Sequence, residues 1–372
     1  MQSPAGFRKF ASIKIRTRNR RVPERVHMLS SEQGRNTFRA RSLLVPTIII
    51  FLAAYLMLSS SVGFGDVMAS MAAIDLRVLA IVLALSLVNY ALRFWRWSLM
   101  LSSSSIALPP SRHFLIYLTG FALTTTPGKV GEALRTFYLK PFGISARHCL
   151  AALYNERLLD LVAIGVLAMF IVASSGAVTR SFGLLGAALV TALIVAQHPA
   201  TIARLERLSA FLPGRLIPSL TNAATTFLRD VRSMMTVRLA IVGTLLGLLA
   251  WGAEGFGTYI VARELGLNIG PLAAIGIYAV AMLAGALSFL PGGLGSTEIV
   301  MISFLAYAGA TAPEALATTT IVRLATLWFA VALGLGAWSA IEAFPGPIAA
   351  GSGHTSERKS PHAASQNDPE GR

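Results

Sequence analysis

The stretches TTTPGKVGEALR (residues 124–135) and FLPGGLGSTE (289–298) each cut an apolar run with Pro-Gly and then place a glutamate, Glu132 or Glu298, a few positions on. Pro127 and Pro291 lack an amide proton, and Gly128, Gly131, Gly292, Gly293 and Gly295 accept backbone angles that other residues resist. Each motif is therefore expected to end one half-helix and start another. The flanking segments are too apolar for a soluble loop, so the breaks are expected at bilayer depth. Irregular backbone survives there only inside protein or beside a wet cavity.

The match extends past the motif. Arg157 follows Glu132 by 25 residues, and Arg323 follows Glu298 by 25. In the same register Gly143 falls on Gly309, Ala151 on Ala317, Leu158 on Leu324 and Leu161 on Leu327. Two units, 78–173 and 237–341, thus read as a short apolar half, a break, a glutamate, a second half, a glycine turn and a long span carrying an arginine. The pattern is that of an internal duplication.

Composition sets the class. Of 372 residues 54% are hydrophobic and only 13% are charged, against about 25% charged in soluble domains. Several apolar runs approach the roughly 20 residues a helix needs to cross a bilayer. They lack strand-like alternation, which argues against a β-barrel. The expected fold is an all-α polytopic membrane protein with six full transmembrane spans, at about 43–62, 78–100, 148–173, 181–197, 237–262 and 315–341. Two re-entrant, broken-helix hairpins lie among them.

The net charge of +15 is not a nucleic-acid signal once it is mapped. Eleven Lys/Arg crowd residues 1–42, and Arg204, Arg207, Arg215, Arg229, Arg232 and Arg238 lie between the fourth and fifth spans. Basic residues at the ends of apolar spans mark the cytoplasmic side. Residues 1–42 read as a disordered basic arm touching anionic lipid, or, before Met28, as sequence upstream of the true start. Residues 198–236 read as a basic amphipathic segment on the inner leaflet, and 342–372 as a disordered cytoplasmic tail. With the N-terminus inside, the first break enters from the cytoplasm and the second from outside. That arrangement is an inverted repeat, the architecture with which many transporters build a midplane site.

Within the apolar spans, charge is costly and usually partnered. Glu132 and Glu298 are expected to meet Arg157 and Arg323, within or across repeats, as fixed salt bridges or as part of a substrate path. Glu156, Arg157 and Asp160 share a helical face and can serve as a proton relay or mark the interface. Arg93 and Arg96, three residues apart near the end of the second span, read either as headgroup contacts or as snorkelling anchors beside Trp95 and Trp97. A new helix N-terminus after each break suits an anionic group such as a lipid phosphate, with Lys129 adding charge to the first copy only. Glu254 lies deep in the fifth span and has no acidic counterpart in the other unit. A lone cysteine, Cys149, excludes intrachain disulfides. No metal site, cofactor site or nucleophile–base pair is read from the six histidines and the remaining polar residues, so a catalytic role is not expected.

The motifs TTTPGKVGEALR, NERLLDL (155–161), FLPGGLGSTE and IVRLATLW (321–328), in this order, resemble the lysylphosphatidylglycerol synthase transmembrane (flippase-like) domain family over about 43–341. The resemblance implies movement of an anionic or modified lipid, such as an aminoacylated phospholipid, between leaflets of a bacterial inner membrane. Both termini would be cytoplasmic. In two-domain members a separate cytosolic domain makes the lipid. This sequence stops soon after its last span, so lipid aminoacylation is not expected of it. The expected partner is membrane phospholipid, with self-association or a lipid-modifying enzyme partner as further readings. The alternatives to translocation are a membrane accessory subunit of a lipid- or glycan-modifying enzyme and a membrane-embedded lipid-modifying enzyme.

Overall fold

The helix Leu76–Met100 (α2) is amphipathic in the inverse sense of a soluble helix. Val82, Ser86, Asn89, Tyr90, Arg93, Arg96, Trp97 and Met100 recur three or four residues apart and are buried. Ile81, Leu87, Val88 and Trp95 are exposed on the other side. A stripe that hides guanidiniums and an amide while presenting branched aliphatics outward fits a lipid exterior and a polar protein interior. Asp75 opens the helix by accepting from the Arg77 amide at 2.8 Å.

A computed structural model describes residues 63–102, 108–172, 198–210 and 216–344, together with the isolated positions 184, 188, 191 and 195. The expected first span, most of the fourth, the basic arm and the C-terminal tail lie outside the described residues. So do the side chains of 127–130, Lys129 included. The chain in these regions is helical throughout, with no strand among the described residues. A short helix Phe64–Ala72 (α1) precedes α2. Then come Pro110–Thr119 (α3), Arg135–Leu139 (α4), Ala146–Val172 (α5), Pro199–Ala210 (α6), Leu216–Met234 (α7), Val237–Glu264 (α8), Pro271–Leu287 (α9), Ser296–Tyr307 (α10), Ala312–Arg323 (α11) and Phe329–Ala343 (α12).

Among the described residues three helices are long and apolar enough to cross a membrane: α2, α8, and α11–α12, which run as one rod over Ala312–Ala343. They match the expected second, fifth and sixth spans. The third is present as α5, 27 residues and hence about 40 Å long. Glu156, Arg157 and Asp160 within it distinguish it from a plain apolar span. Helix α8 packs along α2 and against α5 and α9. Its GxxxG pair makes this possible: a Cβ at Gly243 would meet Leu159 Cδ1 at 2.6 Å, and one at Gly247 would meet Ala163 Cβ at 2.9 Å and Arg96 Nη1 at 3.0 Å. Small residues let membrane helices approach closely where water gives no push.

The two breaks differ in structure. After α3, a 3-10 turn covers Gly120–Leu123, and a second 3-10 segment, Pro127–Leu134, leads into the five-residue α4. The first break therefore starts before Pro127 and continues as a tight 3-10 helix, not as the expected α half-helix. The second is sharper. A 3-10 turn, Pro291–Gly293, links α9 to α10, with φ of 61°, 68° and 86° at Gly292, Gly293 and Gly295. These left-handed angles are what the glycines supply. The turn glycines aligned by the duplication, Gly143 and Gly309, also share positive φ, 86° and 100°.

Helix α12 backs against α3 and its 3-10 continuation. A Cβ at Gly334 would run into the Ala122 backbone, which cannot retreat as a side chain can. Gly334→Ala is expected to cost about 1–3 kcal/mol by overpacking. Gly336→Ala, at a position with open space within 4 Å, is the control. Thermal unfolding in detergent should separate the two.

Candidate functional site

Helix α5 carries Glu156, Arg157 and Asp160 toward α2, and the first break brings Glu132 and Arg135 from the third side. Arg93 Nη2 lies 3.2 Å from Glu156 and 3.6 Å from Asp160. Arg96 pairs with Asp160. Arg135 lies 2.9 Å from Glu156 and 3.1 Å from Glu132. Arg157 reaches Glu132 at 3.4 Å, Glu156 at 3.1 Å and Asp160 at 3.1 Å. Its Nη2 contacts them at ion-pair distance without an aligned hydrogen bond.

Neutral donors complete the cluster. The Tyr117 hydroxyl donates to Glu156 at 2.9 Å, Trp251 Nε1 to Asp160 at 2.9 Å and the Thr124 hydroxyl to Glu132 at 3.1 Å. Aromatic faces sandwich the cations. The Arg93 guanidinium lies 5.4 Å from the Phe121 centroid and 5.3 Å from Trp251, and Arg135 lies 4.0 Å from Tyr117. Rings at these distances attract a desolvated cation.

The four guanidiniums face three carboxylates, so these described side chains carry a formal +1. Arg93 Nε and Arg96 Nε and Nη1 are buried with no acceptor, so donors outnumber acceptors as well. Buried charge is expensive unless each group finds partners, and the arginines and carboxylates here find one another.

Around the second break the described residues hold a single pair. Arg323 Nε lies 2.6 Å from Glu298, and its Nη2 donates to the Gly292 carbonyl at 2.8 Å. The register that carries Glu132 onto Glu298 and Arg157 onto Arg323 replaces Glu156 with Val322, Asp160 with Thr326, Arg135 with Met301, Arg93 with Tyr259 and Arg96 with Ala262. The Glu–Arg contact at a separation of 25 is common to both repeats, and everything else in the cluster belongs to the first.

Several expectations change here. Arg93 and Arg96 do not snorkel: both are buried and ion-paired, and Trp97 is buried with its Nε1 on His113 at 3.2 Å. Trp95 remains exposed. The N-terminus of α10 already carries an anionic side chain. Glu298 Oε2 already accepts from the Gly295 amide at 2.7 Å, occupying the positive end of the helix. Glu156 and Asp160 each lie within ion-pair distance of several guanidiniums. Arg135 was not singled out in the sequence. Its three-residue spacing from Glu132 inside an apolar stretch was the available signal.

The two breaks touch each other. Between them lies a cavity of about 50 Å³ whose walls include Tyr90, Arg93, Thr124, Glu254, Gly292 and Arg323. It thus joins the first cluster, through Arg93, to the second pair, through Arg323. Its volume is room for a few waters, so it is closed to anything of headgroup size in this conformation. A π-helical turn, Leu324–Trp328, follows Arg323, and the Tyr90 hydroxyl donates to the Thr326 carbonyl within it at 2.6 Å. Such turns often mark functional positions in helices.

The family profile described as lysylphosphatidylglycerol synthase TM region matches residues 42–334, a stretch that contains both clusters and both breaks. Comparison with curated proteins gives no match.

Proposed function

Because the chain belongs to the lysylphosphatidylglycerol synthase TM-region family, membrane proteins linked to lipid handling, we propose that it moves an anionic or modified phospholipid between the leaflets of a bacterial inner membrane. The observation that carries this reading is the cavity between the two breaks, lined by one guanidinium from each repeat and backed by a buried cluster with surplus positive charge. A phosphate group needs such donors, and arginine supplies them in a planar fork.

On this reading the two units are inverted repeats within a fold of six spans and two re-entrant hairpins, with both termini cytoplasmic. The headgroup passes between the breaks while the acyl chains stay in lipid. The cavity must widen for this, and the breaks are where the backbone can part. The protein acts as a translocator and not as an enzyme, and its partner is the phospholipid itself.

The test is transfer of fluorescent phosphatidylglycerol between leaflets of proteoliposomes, read by quenching from outside. Ala330→Leu fills the cavity wall without touching an ion pair and is expected to slow transfer at least tenfold at nearly unchanged thermal stability. Arg157→Gln, at a side chain 23% exposed, is expected to do the same by removing the surplus charge. Wild-type protein that moves no lipid, yet purifies with one stoichiometric enzyme partner, would favour the accessory-subunit reading.

A further inference from the structure

The rod Ala312–Ala343 contains the π-helical turn Leu324–Trp328, and its two arms are fastened to different breaks. Before the turn, Arg323 holds the second break through Glu298 and the Gly292 carbonyl. After it, Gly334 of α12 lies against the Ala122 backbone of the first. Thr326 and Leu327 in the turn, and Ala330 just after it, line the cavity between the breaks. The turn is the joint between the two arms.

A π turn holds one residue more than regular α winding. Here the Phe329 amide donates five residues back, to the Leu324 carbonyl. Suppose the turn rewinds as α-helix while Arg323 stays fixed. Everything beyond it then rotates by about 100° and advances by about 1.5 Å, the increment of one residue. The position facing Ala122 passes from Gly334 to one of its neighbours, and both of these, Leu333 and Leu335, are leucines. The Ala122 backbone leaves no room there even for a Cβ. So α12 closes on the first break with the π turn in place, and α winding forces the two apart.

Tyr90 of α2 is placed to hold the turn. Its hydroxyl donates to the Thr326 carbonyl at 2.6 Å. Its ring packs on Phe121 of the first break, at 5.1 Å between centroids, and on Phe329 at the start of α12, at 6.3 Å. It is buried and lines the cavity. Within the turn the Thr326 hydroxyl donates to the Val322 carbonyl at 2.8 Å, a back-bond that bends regular helix.

We infer that Tyr90 is a positioning residue that latches the α11–α12 joint in its π form, and that rewinding of this joint parts α12 from the first break and widens the cavity. The latch stands on the contacts above; its part in lipid movement rests on the headgroup-cavity reading.

Two variants test it. Tyr90→Phe keeps both ring contacts and removes only the donor. Deletion of Leu324, which is exposed and not part of the cavity wall, removes the extra residue, so plain α winding keeps Gly334 on Ala122 and the joint stays closed. The measurements are hydrogen–deuterium exchange of the full chain in detergent, with α10 as internal reference, and transfer of fluorescent phosphatidylglycerol in proteoliposomes. In Tyr90→Phe, exchange across Leu324–Leu335 is expected to rise about five- to tenfold from the loss of one buried hydrogen bond, with α10 unchanged. In the deletion variant, exchange there should fall below wild type. Its lipid transfer should drop at least tenfold at an undiminished melting temperature, which a merely structural role for the turn would not produce.

Equal exchange in Tyr90→Phe and wild type would overturn the inference. So would a folded deletion variant that exchanges as fast as wild type or still transfers lipid at the wild-type rate. If the deletion variant does not fold, Tyr90→Phe decides: faster exchange with an altered transfer rate supports the latch, and anything less overturns it. Wild-type protein that transfers no lipid would remove the headgroup reading, and the exchange of the two variants would then decide the latch alone.

Discussion

Glu156→Gln is expected to be the most damaging single substitution in the chain. Glu156 is fully buried and lies within ion-pair distance of Arg93, Arg135 and Arg157, while accepting from Tyr117. The glutamine keeps the shape and some acceptor capacity, so packing is nearly unchanged. What changes is charge: the cluster moves from a formal +1 to +2 in a site without solvent. Breaking a buried pair costs about 3–5 kcal/mol because the partner charge stays behind, and here three partners stay behind. That is a large part of the total stability of an ordinary domain. The expected result is a fall in melting temperature of about 10 °C or more, or loss of the monodisperse species after extraction. Arg157→Gln supplies the contrast. It brings the cluster to neutrality at a partly exposed position, so it should be far better tolerated. Equal destabilisation by the two would show that packing governs the cluster, not charge.

Arg323→Met comes second. It strands Glu298 and deprives the Gly292 carbonyl of its donor at 2.8 Å, at a turn already held in left-handed backbone. The expected cost is again about 3–5 kcal/mol. Glu298→Gln should be milder, because its amide oxygen can still accept from Gly295 and keep the α10 cap. The double variant should cost less than the sum of the singles, with a coupling of about 2–3 kcal/mol. Additive losses would mean that the two side chains do not act on each other. Since Arg323 also lines the cavity, headgroup binding should be lost in both variants that lack it, including the double variant in which stability is partly restored.

Much of this was legible in the residues. The two breaks and the involvement of Glu132 and Glu298 with Arg157 and Arg323 were expected from motif and spacing; that each pair forms within its own unit is what the structure adds. The turn glycines Gly143 and Gly309 both have the positive φ that the position requires. The reading of Arg93 and Arg96 was not recoverable in the same way. Arginines beside tryptophans near a span's end look alike whether they reach for water or turn inward, and only the helices packed around α2 decide. The form of the first break was also hidden. Pro127 and Gly128 announce an interruption, but whether the chain resumes as α or 3-10 is not written in the motif.

The Pro-Gly motifs, with an apolar composition around them, by themselves determined a helical membrane protein with two matched breaks, each followed at the same spacing by a glutamate and an arginine. The tertiary structure decided where the unequal charges of the two units come together. Helix α8, through Gly243 and Gly247, draws α2 and α5 close enough for Arg93 and Arg96 to meet Glu156 and Asp160. Spacing along the chain governs contacts within a repeat. Contacts between distant helices are set by which surfaces are small enough to approach, and by the need of each buried charge to find its partners there.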